Sequence, residues 1–192
     1  MTDKEVLQCY EKTGGVLKGH FLLTSGRHSD TYMQSAKLFV HPEEATKIVA
    51  ALAEKVAPYK PEVVVSPAVG GIILGYELAR QMGLTDIFAE RENGEMTFRR
   101  GFELKKGARV VVVEDVVTTG GSVKEVIALC RAHGAEVVAC ASVVDRSNGK
   151  VEFDVPYVPL LSMEVTSWEA ADCPLCKAGA GAPYKPGSRG VK

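Results

Sequence analysis

Two adjacent carboxylates, Glu114 and Asp115, follow an uninterrupted valine run, and Thr118, Thr119, Gly120, Gly121 and Ser122 come directly after them. Acids placed just before such a loop suit a sugar diol, because ionised carboxylates only accept hydrogen bonds and hydroxyls can donate them. Glycine N–H groups and threonine hydroxyls do the opposite, donating to an anion at the start of a helix. The pair therefore reads as a site for a sugar phosphate, with Glu114 and Asp115 on the ring hydroxyls and residues 118–122 on the phosphate. A plain helix cap is the competing reading, although a cap needs one acid and no threonine pair. The segment is not a Walker A loop, since Gly121 stands where that loop has lysine before its Ser or Thr.

Stepping outward, Val110–Val113 form a short, fully apolar, β-branched run, the pattern of a strand buried on both faces of a parallel sheet. Val63–Val65 repeat it and lead into Ser66-Pro67-Ala68-Val69-Gly70-Gly71 and a helical IILGYELARQM. Strand, glycine loop and helix thus occur twice. A second anion site at the same sheet edge is the natural inference, against the alternative of a tight turn for close packing. Ile87–Ala89 predict a further strand that opens a charged hairpin, Glu90 to Phe102, turning at Asn93-Gly94. After Ser122 a helix runs to Gly134, a strand covers Val137 to Val144, and Arg146 stands at its end, where a guanidinium can pair with a planar anion.

The segment VVVVEDVVTTGGS resembles the signature of the type I phosphoribosyltransferases, which bind the ribose 5-phosphate part of phosphoribosyl pyrophosphate. TSGRHSDTY near the N-terminus resembles that family's orotate-using branch. The resemblance implies an α/β fold with a mainly parallel central sheet flanked by helices and a small N-terminal hood. It also implies transfer of the phosphoribosyl group to orotate, giving orotidine 5′-phosphate in pyrimidine synthesis. By this reading Glu114, Asp115 and Arg91 are catalytic. Phosphoribosyl pyrophosphate is bound by Glu114, Asp115, Val116, Val117, Thr118, Thr119, Gly120, Gly121, Ser122, Val69, Gly70 and Arg91. Orotate meets Thr118, Arg146 and Tyr32, and the loop at Val69 contacts pyrophosphate, in the family often through a non-proline cis peptide.

The family's usual lysines are missing at Thr24, at Gly70 and across Glu92–Glu95, which makes Arg99 and Arg100 candidate substitutes. Mg2+ is implied, since pyrophosphate leaves poorly unless its charge is neutralised. A homodimer with shared active sites is implied as well, the hairpin closing over a neighbour's substrate. Two rivals stay open: a purine or uracil phosphoribosyltransferase, and a non-catalytic sensor of phosphoribosyl pyrophosphate that binds nucleic acid.

Size and charge set the frame for these sites. The 192 residues suit one α/β domain, and a formal net charge of −1 argues against general nucleic-acid or membrane binding. The opening MTDKEVLQCYEK is acidic and amphipathic, unlike a signal peptide, so a cytoplasmic location is expected. Thr2 and Glu5 have capping-box spacing and start a first helix expected to pack as a lid. Two strands follow around Ser25-Gly26, and taken alone Arg27 and His28 read as solvated hairpin residues. A single domain over 1–192 is expected, with hood elements in 1–40, the core in 41–165 and a tail in 166–192. The tail's end, from Ala182, reads as loosely ordered. Cys173 and Cys176 offer half of a zinc site, but no second pair follows, and His20, His28, His41 and His133 all lie far upstream. Structural thiols, zinc shared between two subunits and a redox pair are the three readings.

Overall fold

A computed structural model describes residues 1–23 and 25–186, so Thr24, one of the positions lacking the family's lysine, and residues 187–192 lie outside the described residues. The chain opens with α1 (Asp3–Lys12), where the capping box forms as its spacing demands: the Thr2 hydroxyl accepts from the Glu5 N–H, and the Glu5 carboxylate accepts from the Thr2 N–H at 2.7 Å. This helix is no lid. Val6 and Tyr10 are fully buried in the main core with Leu38, Ile48 and Leu52, because its apolar stripe needs more cover than an open hood gives.

The antiparallel pair β1 (Val16–Leu22) and β2 (His28–Met33) follows, then α2 (Ser35–Phe39) and α3 (Pro42–Val56), which has Pro at its first helical position. The βα core continues with β3 (Val63–Pro67), α4 (Gly70–Met82), β4 (Thr85–Glu92), β5 (Glu95–Phe98), β6 (Arg109–Val117), α5 (Gly121–Ala132), β7 (Glu136–Asp145) and β8 (Tyr157–Ser162). Last come β9 (Ser167–Trp168) and the single turn α6 (Pro174–Lys177). Gly134, with φ +80°, closes α5 where the sequence places it, and Asn93 and Gly94, both at positive φ, turn the hairpin between β4 and β5.

The main sheet has the order β5-β4-β3-β6-β7-β8, parallel throughout except for β5 at the edge. From β3 the chain moves outward one way to β4. From β6 it moves outward the other way to β7 and β8. The order therefore reverses between β3 and β6, and α4 and α5 cover opposite faces of the sheet, as their core partners show. Such a reversal opens a crevice beyond the carboxyl ends of the two strands. The valine run makes it rigid: Val111 and Val113 face α3 and α4, Val110 and Val112 face α5, and all four are fully buried.

A second sheet, β1-β2-β9, sits beside this core. Arg27 and His28 are not the solvated residues expected of an isolated hairpin. Arg27 donates to the Ser167 hydroxyl at 2.9 Å and the Ser167 carbonyl at 2.6 Å and pairs with Glu169, while His28 is buried opposite Trp168. Part of the tail's end is also fixed, since Tyr184 exchanges backbone hydrogen bonds with His20 and Leu22 at 2.8 Å each along the edge of β1.

Candidate active site

The crevice between β3 and β6 collects most of the residues singled out from the sequence. Asp115 lies near the end of β6, and its carboxylate accepts from the Val116 N–H at 2.9 Å. Burial pushes its pKa up, while Glu114, the Val116 amide and the Ser35 hydroxyl pull the other way. Ser35, at the start of α2, is 2.9 Å from the phenol of the fully buried Tyr10, so a polar chain runs from the core to the carboxylate. Neither Ser35 nor Tyr10 was marked by any motif. Only the fold brings residues from α1 and α2 beneath the end of β6.

The two glycine loops meet at this carboxylate. A Cβ on Gly70 would come within 2.8 Å of the nearer Asp115 oxygen and 3.0 Å of the other. The backbone at the start of α4 thus lies close against the acid, so any side chain there, a lysine included, would require the Asp115 carboxylate to shift. The Ala68–Val69 peptide bond in this loop is cis, and Val69 projects into solvent. On the β6 side, Thr118, Thr119 and Gly121 are exposed and Ser122 is half-buried. Gly120 has φ +73°, and a Cβ there would strike Val151 at 2.7 Å, so this turn too requires glycine. The first amides of α5 consequently open beside exposed threonine hydroxyls, a donor-rich place for a phosphate.

Arg146 completes the crevice. Its N–H donates to the Val117 carbonyl at 2.8 Å, which sets it level with the threonine pair. The guanidinium lies 5.7 Å from the centre of the Tyr32 ring, and its buried Nε has no hydrogen-bond partner among the described residues. Burial lowers the pKa of this group, an effect Tyr32 partly offsets, yet a guanidinium stays charged at neutral pH. A half-buried cation whose buried Nε has an unmet donor calls for an anion. Tyr32, half-buried on β2 and 5.8 Å from the Phe21 ring, brings the hood to the same spot.

The hairpin arginines are placed differently. Arg91 pairs with Glu125 of α5 at 2.6 Å and donates to the Gly94 carbonyl at 2.7 Å. Arg99 pairs with Glu92 at 3.3 Å. Arg100 pairs with Glu90 through two contacts of 2.8 and 2.9 Å and lies over the Phe88 ring. Within one chain all three are tied to acids on the hairpin or α5. Cys173 and Cys176 are elsewhere again, gathered with His20 and His28 of the hood; the upstream position of these histidines did not keep them away.

The donors at the end of β6 are hard carboxylate oxygens, one of them on an acid whose burial disfavours its charge. Such a set fits Mg2+ and sugar hydroxyls better than a soft metal. Among the described residues, no helix is long and apolar enough to cross a membrane.

Comparisons with known proteins agree with this fold. Residues 36–175 match the family model described as a phosphoribosyl transferase domain. The orotate phosphoribosyltransferase of Caldanaerobacter subterraneus subsp. tengcongensis is 53% identical over 189 residues, which cover 98% of this chain and 99% of that one. The orotate phosphoribosyltransferase of Thermotoga maritima is likewise 53% identical over the same shares of both chains. Among solved structures, orotate phosphoribosyltransferase from Aeropyrum pernix superposes with a TM-score of 0.74 at 27% identity, covering 92% of this chain and 99% of that one.

Proposed function

The chain belongs to the phosphoribosyl transferase family, and from that premise we infer that it is an orotate phosphoribosyltransferase. It transfers the phosphoribosyl group of phosphoribosyl pyrophosphate to orotate, releasing pyrophosphate and forming orotidine 5′-phosphate for pyrimidine synthesis. The observation that carries the base assignment is Arg146: a half-buried guanidinium with a buried, unpaired Nε, held against Tyr32 at the rim of the crevice, matches the carboxylate that sets orotate apart from other pyrimidine bases.

The chemistry is substitution at the anomeric carbon, with positive charge building on the sugar as pyrophosphate departs. The protein's part is position and charge. The amides of Gly121 and Ser122 with the hydroxyls of Thr118 and Thr119 hold the 5′-phosphate at the start of α5. Val116 and Val117 set the backbone that leads into that loop. Glu114 and Asp115 accept from the ribose hydroxyls, and their negative charge favours the cationic sugar of the transition state. Ser35 and the Val116 amide keep Asp115 aimed, and Gly70 lets the first loop come in beside it. Amides near Val69 and Gly70 face the pyrophosphate side, while Tyr32 and Arg146 grip the base, with Thr118 at its edge. Asp115 would help to hold Mg2+ entering with phosphoribosyl pyrophosphate, and the ion would supply charge neutralisation for the leaving group.

We further propose that the working unit is a homodimer, one protomer's hairpin delivering Arg91, with Arg99 or Arg100, to its partner's pyrophosphate. Val69, Ile73 and Tyr76 support this: they follow helical spacing along α4, and each is more than half exposed, an apolar stripe that a second copy would cover. The free thiols of Cys9, Cys130 and Cys140 favour a reducing, cytoplasmic setting. We take the whole chain as one functional domain.

The deciding test is the loss of orotate absorbance with phosphoribosyl pyrophosphate, with and without Mg2+. Turnover that needs the ion is expected. A panel of free bases in which adenine, hypoxanthine or uracil reacts and orotate does not would overturn the assignment.

A further inference from the structure

Outside the crevice, one cluster has chemistry that the transfer reaction does not use. His20 on β1, His28 on β2, and Cys173 and Cys176 at the two ends of the CPLC turn place one ligand atom each within 4.8 Å of all the others. His20 Nε2 is 3.0 Å from His28 Nδ1 and 3.6 Å from each sulfur, and Cys176 Sγ is 3.3 Å from His28 Nδ1. A tetrahedral zinc ion with usual bond lengths would set edges of about 3.3 Å between nitrogens and about 3.5 Å between nitrogen and sulfur. The nitrogen–sulfur separations lie on either side of their ideal, and the nitrogen–nitrogen separation is about 0.3 Å short of its own. Both cysteines are free thiols.

We propose that His20, His28, Cys173 and Cys176 form a metal site, with zinc as the ion the donor set selects, and that the ion staples the C-terminal tail to the hood. Two imidazoles and two thiolates are a soft, charge-matched set for Zn2+ and a poor one for Mg2+. All four corners come from the protein, the closed arrangement of a structural rather than a catalytic centre.

Local structure prepares the ligands. The β1–β2 ladder pairs Lys18 with Thr31 but Phe21 with Ser29, a slip of one residue that spans His20. Without that slip His20 would stand opposite Ser29, on the other face of the hairpin from His28. With it, the two rings share a face, the effect expected of a bulge that re-aims a side chain. The remaining ring nitrogen of His20, Nδ1, is 2.9 Å from the Gly181 carbonyl. As the donor there it leaves Nε2 with a free lone pair, the usual outer contact of a metal-bound histidine. On the tail side, Pro174 starts a single helical turn, and the Lys177 N–H returns to the Cys173 carbonyl at 3.1 Å, so both sulfurs project from one short loop.

The site is distinct from the crevice. His28 and Tyr32 are four residues apart on one strand, about 13 Å at the usual rise, too far for the ion to touch substrate. Its effect would be to fix β1, β2 and the tail as one unit. That role does not depend on which base the enzyme uses.

Metal analysis of the full chain as purified, together with a count of reactive thiols, tests the proposal. About one equivalent of zinc per chain is expected, lost in Cys173→Ser and reduced in Cys176→Ser, the latter at an exposed position that tolerates change. Cobalt loaded in place of zinc should give tetrahedral ligand-field bands with thiolate-to-metal charge transfer. Chelation should lower the melting temperature of the parent but not of Cys173→Ser. Protein that retains no zinc after loading and desalting, a cobalt spectrum without the thiolate band, undiminished zinc in Cys173→Ser, or a Cys173–Cys176 disulfide in the purified protein would each overturn it.

Discussion

In the proposed reaction the crevice between β3 and β6 and the hairpin of β4 and β5 serve one substrate, and they are built on opposite principles. In the crevice, position comes from packing: fully buried valines fix the strands, Gly70 lies close against Asp115, and Gly120 turns at positive φ against Val151 and Phe153. In the hairpin, position comes from charge. Arg91, Arg99 and Arg100 are held by Glu125, Glu92 and Glu90 near the surface, where solvent screening leaves an ion pair weak. The part of the substrate that stays on the enzyme meets a rigid wall. In that reaction the part that leaves would meet, besides the amides near Val69 and Gly70, groups that can change partners cheaply.

Four substitutions can break or sharpen that contrast. Asp115→Asn should cost the most, on the order of 100-fold or more in kcat, because a preorganised charge beside the developing cation is lost. The melting temperature should stay level or rise, since the replaced acid is one that burial makes unfavourable. Unchanged turnover would remove Asp115 from the reaction. Arg146→Ala should raise the orotate KM by roughly 10- to 100-fold while moving that for phosphoribosyl pyrophosphate little, as expected when one partner of a buried charged contact is deleted. Equal effects on both constants would detach Arg146 from the base.

Glu125→Gln releases Arg91 and should change kcat and the phosphoribosyl pyrophosphate KM by no more than about threefold. A tenfold fall in kcat would mean that Glu125 holds Arg91 in its working position, and the hairpin would then belong with the rigid half. The smallest effect concerns stability alone. Asp86, at the root of the hairpin strand, has its pKa raised by burial to about 7, and one of its oxygens has no hydrogen-bond partner among the described residues. The folded state therefore holds this proton more tightly than the unfolded chain, and stability is lost as pH rises from about 4 through about 7. Asp86→Asn should escape that loss, melting above the parent by a wider margin near about pH 8 than near about pH 5. A margin that does not vary with pH would show that Asp86 titrates normally.

How far the sequence revealed these two regions follows from the range of the interactions. The valine runs, the Asn93-Gly94 turn and the cap at Gly134 are local signals, and the fold contains each of them. The acid pair before the threonines marked the crevice for the same reason, since strand, loop and helix are contiguous there. What stayed hidden depends on contacts distant in sequence. Ser35 and Tyr10 reach Asp115 only after α1 and α2 have packed, and the pairing of Arg91 with Glu125 needs α5 folded against the hairpin. The gathering of His20 and His28 with Cys173 and Cys176 was masked twice over. It joins segments some 150 residues apart, and it relies on a one-residue slip in a strand pair that alternation alone would place in register.

The unpaired Nε of Arg146 also bears on what the enzyme refuses. A uracil ring entering the same slot would stack as well, yet it would leave that donor as unanswered as it is without a base, whereas the carboxylate of orotate can accept from the guanidinium. Selectivity of this kind rests on a contact that only the right base can complete, and no steric barrier is required.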